Sequence, residues 1–596
     1  MTSSPLTSNP TNRAARRSIA RRGGAVGAGG VLVAGTAAAL LTALAGQAGA
    51  ASTIMVDSSA DGTATASNCT DTLPGNCTLR DAAAAAVSGD TIVFSPAVTS
   101  ITLTNGQIAL GAVNITGPGS ASLAITTTAG AGSYNLFYFS GTGDVTVSGL
   151  SITKQRIKTV NQGKFTLNDV SISDSYFGYG GALYATNQSD LVISGSHFEG
   201  NSAALKGGAV YAVNNGTVTV SDTEFIDNTV FSGNGGGIFS KESGQKFTLT
   251  GSTVTGNSAT RGGGISVATT AIVSIADSTI SSNTSTFDGA GLYSYVAPSA
   301  NQRAAVSIER STFDGNTLTG SGEGGGMKVG GRSLEVTNST ISNNSSGNIG
   351  GGISVSEAAA ATINNTTITG NSAAGNGGGL YANGVDVTIN QGTISANTAG
   401  DKAGGVWLYK ESLNLSGTIV SGNSSVTPGY EDVGLYLALG LYSDHSLVGN
   451  VDGATVTDQG GTIRSTTPGL DVLADNGGPT MTMALLTGSA AIDAGPDPVA
   501  TFTGNGFDQR GTPNARVSNG TVDIGAFEVQ GTPPPTSSTT TSTTSTTSTT
   551  STTSTTAPPT SSSTTSSTTV APTTTVAVDP TTTTTEEDVM VPAFTG

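Results

Sequence analysis

Residues 207–228 read GGAVYAVNNGTVTVSDTEFIDN, and the chain returns to this text about every 27 residues. A Gly-rich turn runs into an apolar position at Gly180-Gly181-Ala182-Leu183 and Gly207-Gly208-Ala209-Val210, and in triple-glycine form before Ile238, Ile265, Met327, Ile353 and Leu380. With the variants at Leu292 and Val406, the spacings from Leu183 to Val406 are 27, 28, 27, 27, 35, 26, 27 and 26. An apolar-x-x-Asn element keeps the same period and places Asn201, Asn228, Asn257, Asn283, Asn316, Asn344, Asn371, Asn397 and Asn423 one per unit. An apolar-polar-apolar element, such as Val218-Thr219-Val220 or Val387-Thr388-Ile389, ends five residues before each of those apolar positions. It also occurs at Val145-Thr146-Val147 and Phe165-Thr166-Leu167, giving eleven units.

Each unit holds three short strands with period-two alternation, separated by tight turns. No unit can bury its own apolar face, but stacked coils build one continuous core, with every strand paired to its equivalent above and below. The pattern therefore predicts an all-β parallel β-helix, its eleven rungs spanning roughly 50 Å at ~4.8 Å per rung. Glycine at the corners supplies positive φ or close backbone approach. The asparagines are expected to form a structural ladder, both by tolerating the left-handed conformation and by hydrogen-bonding amide to amide along the rod. Composition agrees: 84 glycines and 11% charged residues disfavour a helical cytosolic enzyme. The glycines follow no G-X-Y period with proline, which excludes collagen.

The GGA[LIV] and FxxN elements (GGAL, GGAV, FEGN, FIDN, FDGN) resemble the repeats of chlamydial polymorphic outer-membrane proteins. Cys77-Thr78-Leu79-Arg80-Asp81-Ala82, followed by Asp90-Thr91-Ile92-Val93-Phe94, resembles the CSLREA domain at the start of many secreted β-helix proteins, with Thr78 and Asp81 as conservative departures. Ala474–Thr480 (ADNGGPT), Ala491–Gly495 (AIDAG), Asp508–Gly511 (DQRG) and Asp523–Glu528 (DIGAFE) resemble, in that order, the choice-of-anchor Q domain. Together these resemblances cover about residues 53–530 and imply a right-handed, pectin-lyase-like solenoid on a cell surface. They imply no reaction.

The expected organisation is an export signal of twin-arginine type over 1–50, a CSLREA-like cap over 51–95, the β-helix over 96–450, a choice-of-anchor Q-like region over 451–530, and a Ser/Thr/Pro-rich stalk over 531–596. The first segment carries Arg16-Arg17 and Arg21-Arg22, then an Ala/Gly-rich apolar stretch and Ala48-Gly49-Ala50, predicting cleavage between Ala50 and Ala51. An uncleaved anchor is the other reading, though the stretch is short and glycine-broken against the ~20 residues a span needs. Residues 78–88 read as a short helix capping the open end of the rod, and 451–530 as closing the other end. The stalk cannot bury a core and is a target for O-glycosylation. Val591–Gly596 is similar to the LPxTG sortase signal, with one residue too many and no apolar helix or basic tail behind it, so wall attachment, secretion and a truncated reading frame all stay open.

The five arginines of residues 1–50 leave 18 basic against 40 acidic residues on the rest, a formal charge of −22. Such a surface repels phosphate backbones, so no nucleic-acid partner is expected. Cys69 and Cys77, in an exported protein, are expected to form a disulfide closing a small N-terminal loop. No metal or cofactor is expected: the only histidines, His197 and His445, are remote from the cysteines, and neither the GGxGxD repeat nor an EF-hand loop occurs.

Catalytic sets are thin. The polygalacturonase tripeptide RIK occurs at Arg156-Ile157-Lys158, without that family's Asn-Thr-Asp, Asp-Asp and Gly-His-Gly partners, and reads as coincidence. The bases a lyase needs, among Arg261, Lys328, Arg332 and Lys402, are scattered one per coil without an acidic cluster. One constellation stands out: Tyr184, Tyr211, Phe239, Tyr293, Tyr381 and Trp407 each follow the apolar position of a Gly-rich strand, with Ser266, Lys328 and Ser354 interrupting. Alternation aims these rings outward, one rung apart. They form either a ligand-binding ladder for sugars or a protein partner, or a stacking ladder that stabilises the rod. An outward Thr/Ser column (Thr146, Thr166, Thr219, Thr248, Ser274, Ser307, Thr362, Thr388) offers ice or mineral binding, interrupted by Val192, Glu335 and Asn414.

The expected protein is a non-enzymatic, monomeric, secreted or cell-surface β-helix acting in adhesion, in the envelope or on glycans. Its partners are glycans or proteins of a neighbouring or host cell surface, and it meets a membrane only through export or anchoring. The alternative is a secreted polysaccharide lyase or glycoside hydrolase of the same fold, with a groove wall at the period-breaking insertions Val296–Arg303 and Thr317–Glu323.

Overall fold

The computed structural model describes residues 51–531 apart from 71–74, 214–215, 242–245, 269–271, 296–304, 359, 453–454 and 519. The export segment with Ala50, the insertion Val296–Arg303 and the stalk lie outside the described residues. Ala51 is the first described residue and is exposed.

The chain coils into a parallel β-helix. One ladder of 13 strands runs from Ile108–Leu110 to Val433–Tyr436, a second has ten, and a long sheet of 29 collects two strands from most coils. Pairing follows the sequence period: Val210 meets Leu183 and Ile238, Val218 meets Leu191 and Phe247, and Phe225 meets Phe198 and Val254. Each of these apolar residues is fully buried in one continuous core. Thirteen turns, about 60 Å of rod at ~4.8 Å each, correct the eleven counted from the sequence. The extra turns, at Ile108–Leu110 and Val433–Tyr436, build their corners without a Gly-Gly turn and so carry no repeat signature.

The corner glycines are explained by crowding. Gly235 has φ 74°, and a Cβ on Gly236 would lie 2.1 Å from the Gly263 carbonyl oxygen of the next coil. The asparagines behave differently from the expectation. No ladder asparagine has positive φ; the left-handed residue is the one before it, Gly200, Asp227, Gly256, Ser282, Gly315, Asn343, Gly370, Ala396 or Gly422. That corner turns each buried Asn side chain inward along the rod. Asn201 Nδ2 donates to Asn228 Oδ1 at 3.0 Å, and the relay continues through Asn257, Asn283, Asn316, Asn344, Asn371 and Asn397 to Asn423. It ends on Asp432, whose Oδ1 accepts from Asn423 Nδ2 at 2.9 Å. Burial holds the Asp432 carboxyl above its ordinary pKa. Each amide also donates to a main-chain carbonyl of the preceding coil, as Asn283 does to Val254 at 2.9 Å.

At the N-terminal end the helix Leu79–Ala85 starts with a capping box between Thr78 and Asp81, and Leu79 and Ala82 join the core. Cys69 and Cys77 are bonded in a disulfide. Arg80 pairs with the buried Asp61 at 2.7 Å.

At the other end the expectation is corrected. Strands Val456–Gly460 and Ile463–Arg464 continue the long sheet, but from Pro468 the chain folds back along that sheet's outer face. The outward column changes there from Thr340, Thr367 and Thr393 to Ile419 and Leu447. The last two form a small core with Ala491 and Ile524. Gln509 wedges its amide among the threonines, accepting from Thr367 Oγ1 at 2.7 Å and donating to Thr340 Oγ1 at 2.9 Å. The fully buried Arg516 donates to Gly525 O at 2.8 Å and to Asn365 Oδ1. Arg510 pairs with Asp508 at 2.5 Å. Burial pushes Glu528, which accepts from Asp523 N at 2.9 Å, up to about 8. Asp523 beside it is raised for the same reason.

Two outcomes follow from this packing. Asn283→Ala deletes its relay bonds and strands buried donors, costing roughly 2–4 kcal/mol in equilibrium unfolding, whereas Asn383→Ala on the outer face costs under about 0.5 kcal/mol. Glu528 is neutral in the folded lobe, so its contribution is fully present below its unfolded pKa near 4.5 and is lost as pH rises through about 8. Thermal midpoints at pH 5, 7 and 9 should therefore show Glu528→Gln gaining on the wild type as pH rises.

Candidate functional site

The outer face of the 13-stranded ladder carries the aromatic column. On each strand the flanking residues turn inward, as Val210 and Ala212 do around Tyr211. The register runs Tyr138, Lys158, Tyr184, Tyr211, Phe239, Ser266, Tyr293, Lys328, Ser354, Tyr381, Trp407. Three rings form a continuous stack: Tyr184 lies 5.2 Å from Tyr211 at 20°, and Tyr211 lies 5.5 Å from Phe239 at 10°. Tyr179 adds an edge 5.1 Å from Tyr211. Phe239 and Trp407 are buried, at 3% and 7% exposure, while Tyr184, Tyr211, Tyr293 and Tyr381 keep part of each ring at the surface. The six rings therefore do not form one continuous stack. Ser266 separates Tyr293 from the stack, and Lys328 and Ser354 separate it from Tyr381.

Cations interleave with the rings. The Arg156 guanidinium lies 4.0 Å from the Phe177 ring centre and 5.2 Å from that of Tyr184. Lys158 Nζ sits 5.5 Å from Tyr138 and 5.3 Å from Tyr184, and Lys206 Nζ is 4.7 Å from Phe239. Arg156 donates to Asn135 Oδ1 and to the Gly180 carbonyl. Among the described residues none of these three cations meets a carboxylate. Burial without a counter-ion pulls Arg156 down to about 10. Tyr211 is raised, first by burial and then by Tyr184 and Tyr179.

The middle of the column is polar. Lys328, almost buried, donates to Glu323, to Ser356 Oγ at 3.0 Å and to Ser354 Oγ at 3.3 Å. Ser354 Oγ donates to Glu323 Oε2 at 2.8 Å. Glu323 ends the insertion Thr317–Glu323, so the period break brings a carboxylate to the face. All three Lys328 donors are satisfied. The other residues weighed from sequence lie apart: Arg261 pairs with Asp288 at 3.0 Å, Lys402 sits 4.7 Å from the Tyr430 ring, and His197 lies between Glu199 and Glu224 on the long sheet. His445 pairs with Asp444. Among the described residues no group of three or more His, Cys, Asp or Glu is placed to hold a metal ion.

Sequence reasoning missed two features. The first is the set of cations, whose ring partners Phe177 and Tyr138 reach Arg156 and Lys158 from neighbouring coils. The second, a threonine column on the long sheet, is signalled by Thr before Ile in STISSN, STISNN, TTITGN and GTISAN.

The family model described as "Right handed beta helix region" matches residues 111–284 and 263–450. Among solved structures, the A-module of mannuronan C-5 epimerase AlgE6 from Azotobacter vinelandii is similar at 13% identity. The likeness covers 65% of this chain and 93% of that one, at a TM-score of 0.31. No curated protein matches. With the family match spanning more than half of its residues, the chain belongs to the right-handed β-helix family.

Proposed function

We propose that this is an exported surface β-helix that binds acidic polysaccharide along the N-terminal half of its 13-stranded face. One observation carries the reading: Arg156, Lys158 and Lys206 lack carboxylate partners among the described residues and alternate with stacked rings. With 40 acidic against 18 basic residues after position 50, free cations would ordinarily find acids. A uronate or sulfated sugar supplies the missing anion to the cations and a C–H face to Tyr184 and Tyr211. The negative remainder of the surface repels such a polymer, which confines its contact to this strip. A rigid rod with parallel sites one rung apart suits adhesion or an envelope role better than turnover.

A second reading is favoured by Lys328, Glu323 and Ser354, where a lysine, a carboxylate and a hydroxyl converge beside Tyr381. It makes the protein a polysaccharide-degrading enzyme, with the reacting sugar at that point of the column.

The test is binding of the full-length chain to polygalacturonate. Lys158→Gln, Lys206→Gln and Tyr211→Ala should each weaken binding about threefold to tenfold, and the two lysine variants should flatten its salt dependence. Equal binding by all three variants contradicts the proposal. New reducing ends or unsaturated products, abolished by Lys328→Met, support the second reading instead.

A further inference from the structure

A separate groove lies on the long sheet. Its floor lies on a threonine column in register, Thr253, Thr279, Thr312, Thr340, Thr367 and Thr393, of which Thr279, Thr312 and Thr340 line the groove. Beside it runs Thr255, Ser281, Asp314, Ser342, Thr369 and Ser395. The folded-back C-terminal lobe covers the far half of the first column, leaving Thr340, Thr367 and Thr393 with no more than 1% exposure. The near half stays open: Thr279 is exposed, and Thr312, Ser281 and Asp314 are half-buried. The edge of the lobe forms a wall with Leu470, Val472, Leu473, Met481 and Met483, of which Val472 is 73% and Met481 50% exposed. The groove between floor and wall encloses 1080 Å³, the upper end of the usual size for a binding cleft.

We infer that this groove is a second binding site, for an uncharged linear oligosaccharide. Three properties of its lining set the ligand class. First, its charged side chains among the described residues are Asp314, Asp471 and Asp475, with no lysine, arginine or histidine, so a polyanion is repelled. Arg310, in the adjoining cleft, is held by Asp277 at 2.6 Å and by Glu309. Second, the floor strands pair on both sides within the rod, so an extended peptide cannot add to them through its main chain. Recognition at the floor falls to side-chain hydroxyls and the Asp314 carboxylate, which already accepts from Ser342 Oγ at 2.7 Å and Asn343 Nδ2 at 2.8 Å. Hydroxyl rows repeating at every rung match a ligand whose own hydroxyls repeat. Third, the apolar wall gives a sugar ring's C–H face a contact surface. The lobe itself shows how the floor binds, because the neutral amide of Gln509 bridges Thr340 and Thr367 farther along the same column.

This site is independent of the cationic face, and calorimetry on the full-length chain separates the two. The probes are β-1,4-linked hexasaccharides of glucose, mannose and xylose. At least one should bind, with Asp314→Asn and the double variant Thr279→Val, Thr312→Val each weakening it at least tenfold at unchanged melting temperature. Asp314→Asn alters one half-exposed carboxylate and keeps the test alive should the double variant misfold. Lys158→Gln and Lys206→Gln should leave this binding unchanged. The inference is overturned if none of the three hexasaccharides binds, if Asp314→Asn binds as tightly as wild type, or if the groove takes extended peptides instead.

Discussion

The asparagine relay is the interaction on which the rest of the structure depends. A coil of short strands fixes its neighbours only loosely, because strands that are mostly two to five residues long offer few main-chain bonds each. The buried amides remove that freedom. Each Asn bonds the next coil's amide and the preceding coil's carbonyl, so a slip by one residue would leave several buried polar groups unpaired at once. The amide-to-amide bonds all run toward the C-terminal end, and the relay finishes on the Asp432 carboxyl group. Fixed register is what lets outward residues from separate coils become columns.

Two such columns carry the proposed sites, and they differ in charge. On the N-terminal half of the 13-stranded face, rings alternate with cations that meet no carboxylate among the described residues; on the long sheet, hydroxyls and the Asp314 carboxylate sit under an apolar wall. A solenoid can carry both because each face has its own outward column while the inward residues stay aliphatic. The C-terminal lobe exploits the second column as a docking surface, with Gln509 and Arg516 as its buried latches.

Much of this was legible in the sequence because period and alternation are local properties. The Gly-rich turns gave the coils, the spacing of Asn201 to Asn423 gave the ladder, and the position after each apolar residue gave the rings. What escaped depends on neighbours a full coil away. Ile108–Leu110 and Val433–Tyr436 turn without the glycine signature, so two rungs went uncounted. The left-handed corner was assigned to the asparagine when it belongs to the residue before it. Residues 451–530 read as closing the end of the rod because nothing in DQRG or DIGAFE tells that Gln509 meets Thr340, 169 residues earlier. The Lys328–Glu323 pair joins a repeat position to an insertion, which periodicity alone cannot connect.

The most direct measurement is chemical footprinting of the full-length chain with and without an oligogalacturonate. The account predicts that Tyr184 and Tyr211 become protected from hydroxyl radicals and that Lys158 and Lys206 lose reactivity toward amine reagents, with Tyr436 unchanged. Protection confined to other faces of the rod, with these four side chains as reactive as in the free protein, would contradict it.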